Sequence, residues 1–280
     1  MSPNAKTWFI TGCSTGFGRV LTEQLLKTDA NVVATARNPE TLKDLESPRL
    51  LTLALDVTKP ETIQAAVAEA VKKFGRIDVL VNNAGYGMLG AVEECSLEAT
   101  QRMFDTNVFG LIRVTQAVLP RMRAQKAGHI FNLSSAAGVV PTAGFGMYNG
   151  TKFAVEGISQ ALALDVKHLG IHVTIIEPGP FRTDFADRSL NLQPAIADYE
   201  ESVGKTRKRM ETLGGTQAGD PAKAARIMID LAHQANPPLQ VPLGNDAMDR
   251  IKARTNQWKE EMERMEPLAR TADYDSAKAS

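Results

Sequence analysis

Three side chains in one stretch of the sequence, Ser135, Tyr148 and Lys152, could carry out acid–base chemistry on a carbonyl group. Tyr148 and Lys152 are four residues apart, so in a helix both lie on the same face and within reach of each other. A lysine ammonium favours the phenolate, and we therefore expect Lys152 to lower the pKa of Tyr148. Ser135 follows an apolar run, residues 129–133, and could place a second hydroxyl on the same carbonyl oxygen. These residue types suit a general acid with a second hydrogen-bond donor beside it.

A Tyr-x-x-x-Lys spacing also arises by chance on solvated helix faces, so its meaning depends on the rest of the chain. Residues 7–10 predict a buried strand, which a glycine-rich turn and a helix to about residue 27 follow. Glycines let the backbone approach a pyrophosphate, and a helix N-terminus offers N–H groups and a positive dipole end. The alternative is a plain glycine turn. We predict that the turn binds a dinucleotide through Gly12, Ser14, Thr15, Gly16, Phe17 and Gly18.

The residue after the second predicted strand indicates which dinucleotide is bound. That strand, residues 31–36, leads directly into Arg37, and no acidic residue stands at its end. In dinucleotide-binding folds a carboxylate there holds the ribose 2′-hydroxyl of NAD, whereas an arginine accommodates the 2′-phosphate of NADP. Arg37, with Ser14 as a second donor, therefore predicts NADP(H). The alternative is that Arg37 is an exposed loop charge.

Together these residues resemble the short-chain dehydrogenases/reductases, in their single-domain branch, over about residues 6–183. The glycine turn and Ala36-Arg37 are most similar to steroid- and retinol-type members. The resemblance implies that Asp56 and Val57 meet the adenine, and a carboxylate can indeed accept its amino group. It also implies that the nicotinamide half of the cofactor lies against Asn83, Ala84, Gly85, Tyr148, Lys152, Pro178, Gly179 and Thr183.

A further catalytic residue, Asn107, is implied by the resemblance alone. Asparagine is unfavourable inside a helix, and residues 97–123 predict a long helical region around it. In the family the matching asparagine disturbs the helix and helps to hold a water near the lysine. The alternative is a buried asparagine whose hydrogen bonds are satisfied by the protein.

Strands and helices alternate along the chain, so the predicted fold class is α/β, a doubly wound, Rossmann-type parallel sheet covered on both faces. We find no internal repeat and no linker, and we expect one dinucleotide-binding and catalytic domain over residues 1–280. The resemblance implies a mobile substrate lid over residues 184–219. Residues 266–280, rich in Ala, Asp and Ser, predict a loosely ordered tail.

The resemblance implies an NADP(H)-dependent oxidoreductase that reduces a ketone or aldehyde or oxidises a secondary alcohol, with Asn107, Ser135, Tyr148 and Lys152 as its catalytic residues. The apolar candidates Met88, Phe145 and Phe185 favour a hydrophobic small-molecule substrate, although core packing would explain them equally well.

Two alternatives stay open. One is a regulatory protein that senses NADPH without catalysis, although such members usually lose the tyrosine or the lysine. The other is an epimerase or dehydratase of the extended branch, which the spacing Gly12-x-x-x-Gly16-x-Gly18 disfavours.

Composition excludes several other classes of protein. The 32 basic and 32 acidic residues cancel, so no basic field indicates nucleic acid. We find no apolar run of about 18 residues that would predict a membrane span. The two cysteines and four scattered histidines form no metal-ligand pattern. We therefore expect a cytoplasmic protein. The predicted helix after Tyr148 is apolar on more than one face, which favours a homodimer or homotetramer.

Overall fold

The computed structural model describes residues 5–185 and 188–274, and its centre is a parallel sheet of seven strands. Their order across the sheet is β3-β2-β1-β4-β6-β7-β9, which is the doubly wound arrangement that the sequence predicts. Two further short strands, β5 and β8, form a separate parallel pair. The strands are β1 (Thr7–Ile10), β2 (Asn31–Ala36), β3 (Leu50–Ala54), β4 (Val79–Asn82), β5 (Gly87–Leu89), β6 (Gly128–Leu133), β7 (Ile171–Pro178), β8 (Leu190–Leu192) and β9 (Gln240–Leu243).

Within the described residues, eight α-helices connect and cover the strands. They are α1 (Gly16–Leu25), α2 (Pro60–Phe74), α3 (Leu97–Phe104), α4 (Leu111–Gln125), α5 (Gly146–Val166), α6 (Lys205–Leu213), α7 (Pro221–Leu231) and α8 (Asn245–Ala269). Side chains of α1 and α7 pack in the core on one face of the sheet. Those of α2, α4 and α5 pack in the core on the other face. The predicted α/β fold class is therefore confirmed.

The central strands are buried on both faces because helices cover the sheet from each side. Every residue of β1, β2 and β4 is buried, which accounts for their continuous apolar runs. Helix α2 shows how local signals set a boundary. Pro60 lies in its first turn, and Gly75 ends it in a left-handed conformation at φ 78°.

Three features differ from the prediction. The helical region over residues 97–123 is divided by a π-helical turn, Asp105–Gly110. The β5–β8 pair had no signal in the sequence. The predicted loosely ordered tail, residues 266–280, begins in regular structure, since α8 runs to Ala269 and a 3-10 turn follows to Ala272. Residues 275–280 of that segment, and 186–187 of the predicted lid, lie outside the described residues.

Two expected absences concern the described residues alone. In the ranges 5–185 and 188–274, no helix combines the length and the apolar character that a membrane crossing needs. Within the same ranges, histidine, cysteine and acidic side chains do not gather into a group that could hold a metal ion.

Candidate active site

A cavity of about 990 Å³ lies at the carboxyl ends of the central strands, where this topology places ligands. It collects predicted site residues from the ends of six strands, β1, β2, β3, β4, β6 and β7. Gly18 and Asn107 are the predicted residues that do not line it. Those that do are Gly12, Ser14, Thr15, Gly16, Phe17, Arg37, Asp56, Val57, Asn83, Ala84, Gly85, Ser135, Tyr148, Lys152, Pro178, Gly179 and Thr183.

The glycine-rich turn presents the start of α1 to the cavity. Gly12 has φ 72° and Gly16 has φ 60°, and a β-carbon on Gly12 would stand 2.9 Å from Cα of Ala84. Thr15 precedes the helix in extended conformation, and its side chain caps no N–H group within the described chain. The first turn of α1 contains no acidic residue. Its N–H groups are therefore available to an anion, which is what a pyrophosphate needs.

Asn83 holds this turn in place from the neighbouring strand end. Its Nδ2 donates to the carbonyl oxygens of Thr11 at 2.8 Å and of Gly12 at 2.9 Å. Gly18 packs directly against these groups, and a β-carbon there would lie 2.5 Å from both Asn83 Nδ2 and the Gly12 oxygen. Gly18 thus shapes the turn from below the cavity. Asn83 both lines the cavity and ties two strands together.

Arg37 and Asp56 stand at the ends of β2 and β3, at the far side of the cavity from Tyr148. Arg37 is exposed, and its guanidinium makes no hydrogen bond within the described residues. Ser14, also exposed, lines the same region. Burial raises the pKa of Asp56, but hydrogen bonds from Thr58 and the charges of Lys59 and Arg37 outweigh it and leave that pKa below its usual value. Asp56 is therefore an ionised acceptor beside an available cation.

Ser135, Tyr148 and Lys152 meet at the centre of the cavity. Tyr148 and Lys152 lie one turn apart on α5 and are both buried, and the Lys152 ammonium stands 5.7 Å from the centre of the Tyr148 ring. Lys152 Nζ donates to the carbonyl oxygen of Leu133 at 2.7 Å, at the end of β6. Ser135 Oγ accepts from the Ala137 amide at 3.1 Å, which orients it at the same strand end. The predicted trio is thus brought together by one helix and one strand.

The acid–base balance of this trio differs from the prediction. Burial raises the pKa of Tyr148, while a hydrogen bond with Ser135 acts in the opposite direction. Burial also lowers the pKa of Lys152 to about 8. In the protein alone the pKa of Tyr148 is therefore raised and not lowered as expected. Burial destabilises the phenolate by more than the hydrogen bond with Ser135 stabilises it.

Asn107 lies inside the π-helical turn with all of its side-chain groups engaged. Its Oδ1 accepts from the Tyr86 amide at 3.0 Å, and its Nδ2 donates to the Tyr86 oxygen at 2.8 Å and to Thr151 Oγ1 at 3.2 Å. The helix is disturbed here, as the resemblance implied. These hydrogen bonds satisfy the buried side chain and fix the segment after Gly85, as in the alternative interpretation, and the catalytic role of Asn107 stays a prediction.

The other wall of the cavity combines residues beyond Thr183 with side chains around Tyr148. Phe145 and Phe185 line it with Tyr148, and their rings lie 6.0 and 5.5 Å from the Tyr148 ring. Met88, also predicted for the pocket, is buried behind Tyr148 in a small cluster instead. Sequence reasoning missed further lining residues that come from loops, from β8 and from the helices α3, α6 and α8, and no local motif marks them. They include Tyr86, Arg102, Thr142, Leu190, Thr206, Arg209, Met210, Leu213, Gln217 and Arg250.

An ion pair attaches this wall to the body of the domain. Arg207 of α6 meets the buried carboxylate of Glu94 at 2.8 Å. Glu94 also accepts from the backbone amides of Ala91 and Ile196, each at 2.7 Å. Strand β8 pairs with β5 beside it. Residues 190–213 are therefore fastened over the cavity by contacts between positions far apart in the sequence.

Comparison with known proteins gives a consistent family assignment. A family model described as short chain dehydrogenase matches residues 6–193. Retinol dehydrogenase 8 of Homo sapiens is 39% identical over an alignment of 262 positions, which covers 86% of this chain and 82% of that protein.

Solved structures agree with the match. A short-chain dehydrogenase from Streptomyces avermitilis superposes with a TM-score of 0.92 at 39% identity and covers 98% of this chain and 100% of its own. A structure of ElxO with NADP bound has a TM-score of 0.70 at 26% identity, covering 85% of this chain and 97% of its own.

Proposed function

Because the chain belongs to the short-chain dehydrogenase family, we propose that it is an NADP(H)-dependent oxidoreductase that reduces a hydrophobic ketone or aldehyde, or oxidises the matching secondary alcohol. The observation that carries this proposal is the shared cavity. Ser135, Tyr148 and Lys152 line one part of it, and the open amides of α1 line another. One elongated cofactor can therefore extend from the glycine turn to the acid–base trio.

The residues present fit NADP(H). The first turn of α1 suits the pyrophosphate, and Arg37 with Ser14 suits a 2′-phosphate, because charge-assisted bidentate contacts to phosphate are favourable. Asp56 and Val57 would receive the adenine, and Pro178, Gly179 and Thr183 the nicotinamide side. The NADP bound in ElxO supports a nicotinamide dinucleotide as the cofactor class. When bound, the cofactor supplies the hydride.

The chain's own residues would manage the proton and the developing charge. Its raised pKa keeps Tyr148 protonated at neutral pH, so it can donate its phenolic proton to the carbonyl oxygen. The Ser135 hydroxyl would donate to the same oxygen and stabilise it as it becomes negative. Lys152, with a pKa of about 8, is largely charged at neutral pH and would hold a ribose hydroxyl beside Tyr148. Asn107 would act indirectly, by fixing the backbone at Tyr86.

Residues 184–219 would select the substrate. Their described part places Phe185, Met210 and Leu213 on the cavity, and these apolar side chains support a hydrophobic substrate. Two exposed side chains on α5 support the proposal of a homodimer or homotetramer. Phe153 is 46% exposed and Leu164 is 79% exposed. A partner subunit over α5 would remove them from water.

The experiment that tests the proposed function combines binding with turnover. NADPH binding is followed by the change in its fluorescence, and NADPH consumption is measured with ketones and aldehydes of increasing apolar size. We expect binding and carbonyl-dependent consumption that improves with apolar size. Tight NADPH binding without consumption across the whole panel would instead support the regulatory alternative.

A further inference from the structure

Two carboxyl groups that the proposed reaction does not use meet behind the catalytic helix. Glu156 lies on α5 and is 5% exposed, and Glu177 lies near the end of β7 and is 1% exposed. Nε2 of Gln240, from β9, donates to Glu156 Oε2 at 3.2 Å and to Glu177 Oε1 at 3.0 Å. One neutral amide on β9 thus bridges two buried acids, one on α5 and one on β7.

These acids have few groups to compensate their charge. Among the described residues neither forms an ion pair, and Glu156 Oε1 is buried without a hydrogen-bond partner. Burial followed by the charge of Glu156 raises the pKa of Glu177 to about 7. Burial also raises the pKa of Glu156. Each buried carboxylate opposes the ionisation of the other, so Glu177 ionises after Glu156, at about pH 7.

Side chains of α5, β9 and the loop after β6 face the pair of acids. On α5 they are Lys152, which is charged, and Gln160, which is neutral. Strand β9 contributes the neutral Gln240, and the loop after β6 contributes the neutral Ser134 hydroxyl. Lys152 is the cation among these facing groups, and the negative charge of the pair therefore acts on it.

Lys152 is placed to feel this charge. Tyr148, Lys152 and Glu156 follow each other at intervals of four on α5 and so occupy one helix face. Burial lowers the pKa of Lys152, and the charge of Glu156 is the influence that opposes it. The Lys152 ammonium otherwise has the Leu133 carbonyl oxygen as its close partner.

We propose that Glu156 and Glu177 are a positioning pair that holds negative charge behind Lys152 and so keeps its ammonium protonated while Tyr148 exchanges its proton. This inference rests on the proposed function, because it assigns Lys152 a role in that reaction. Glu156 supplies most of the charge that acts on Lys152. Glu177 ionises after Glu156 and adds to that charge. Neither carboxyl group touches the reacting atoms.

The two members of the pair should therefore differ in the size of their effect. The measurement is the pH dependence of kcat for carbonyl reduction in Glu156→Gln and Glu177→Gln. Glu156→Gln removes the carboxylate that shares a helix face with Lys152, so the alkaline limb should move to lower pH by about one unit, a loss that approaches tenfold in kcat at pH values above both midpoints. Glu177→Gln removes the carboxylate on β7, which is not on that face, so its alkaline limb should move in the same direction by less.

A matched control is Asp165→Asn, which removes an exposed carboxylate from the same helix far from Lys152 and should leave the profile unchanged. Melting curves identify any variant that is merely less stable. A purely structural pair would lower stability in both variants without moving either limb. Unmoved limbs, or a limb that moves at least as far in Glu177→Gln as in Glu156→Gln, would overturn the proposal.

A second readout separates this inference from the proposed function. With lysine labelled by an NMR-active carbon at Cε, the titration of Lys152 can be followed directly and assigned by comparison with Lys152→Met. Both Glu156→Gln and Glu177→Gln should lower its pKa, and Glu156→Gln by more, even if no carbonyl substrate is turned over. Lack of turnover would then contradict the proposed function alone, and an unchanged Lys152 titration would contradict the positioning pair.

Discussion

The cavity has two walls that are built in different ways. The cofactor wall is made by strand ends and the start of α1, and Asn83 clamps it through backbone oxygens of Thr11 and Gly12. The substrate wall is made by the segment after Thr183 and depends on side chains distant in sequence, chiefly Glu94 and Arg207. Local motifs specify the first wall, whereas long-range contacts specify the second. Changes on each wall should therefore affect different kinetic constants.

Tyr148 stands between the walls, and its replacement should have the largest effect. Tyr148→Phe keeps the ring packing but removes the proton donor, so kcat for carbonyl reduction should fall by about 10²–10⁴-fold. NADPH binding should change little, since the cofactor wall is intact. Steady-state kinetics and a fluorescence titration with NADPH check both parts. A variant that reduces the carbonyl at nearly the wild-type rate would show that another group is the acid.

Arg37 tests the cofactor wall by itself. Charge-assisted contacts to a phosphate contribute about 1.5–3 kcal/mol, so Arg37→Ala should lower kcat/KM for NADPH by about ten- to a hundredfold and leave NADH unaffected. Kinetics with both cofactors measure this. Adding Asp at position 36 in the same variant should reverse the preference, because a carboxylate repels the phosphate and can hold a free 2′-hydroxyl. Equal kcat/KM values for NADPH and NADH in the wild-type enzyme would contradict the role of Arg37.

Arg207 tests the substrate wall by itself. Arg207→Met keeps much of the side-chain bulk but removes the ion pair to Glu94, which loosens the wall. We expect KM for the carbonyl substrate to rise about three- to tenfold, while the dissociation constant for NADPH stays the same. The control is Lys208→Met. Lys208 lies on the same helix as Arg207, and this change removes an exposed ion pair with Glu200. Equal effects on substrate and cofactor would erase the distinction between the walls.

Glu177 should affect stability rather than rate. Its pKa is raised to about 7, so the folded protein keeps a proton that the unfolded chain loses above pH 4.5. The contribution of Glu177 to stability is therefore full at low pH and is lost as pH rises through 7. Glu177→Gln does not titrate, so relative to wild type it should gain about 2.5 kcal/mol between pH 5 and pH 8, or about 5–10 °C in Tm. Thermal unfolding at both pH values measures this, and parallel curves would contradict the raised pKa.

The two walls also differ in how far the sequence predicted them. Strand ends with Gly12, Asn83 and Ser135 were predictable because β-strand and glycine-turn signals are local. The contacts of Glu94 and Arg207 and the pairing of β5 with β8 were not predictable. The partners lie about a hundred residues apart and follow no repeating pattern. Glu156 and Glu177 escaped notice for a related reason. A glutamate on a helix gives no sign of burial until the strand that covers it is known.

The acid–base trio was predicted in its arrangement but not in its pKa values. The spacing of Tyr148 and Lys152 predicted that they share a helix face, and the structure has this. The sign of the Tyr148 shift depends on burial by Phe145 and Phe185, and side-chain spacing contains no information about burial.

The central claim is that this cavity transfers a hydride to a carbonyl carbon while Tyr148 protonates the oxygen. The most direct measurement uses NADPH carrying deuterium on the transferred position of the nicotinamide, with the best substrate of the carbonyl panel and mass spectrometry of the product. The account predicts an alcohol with one deuterium on the former carbonyl carbon, formed by the wild type and nearly absent with Tyr148→Phe. Product without deuterium, or equal deuterium incorporation by Tyr148→Phe, would contradict it.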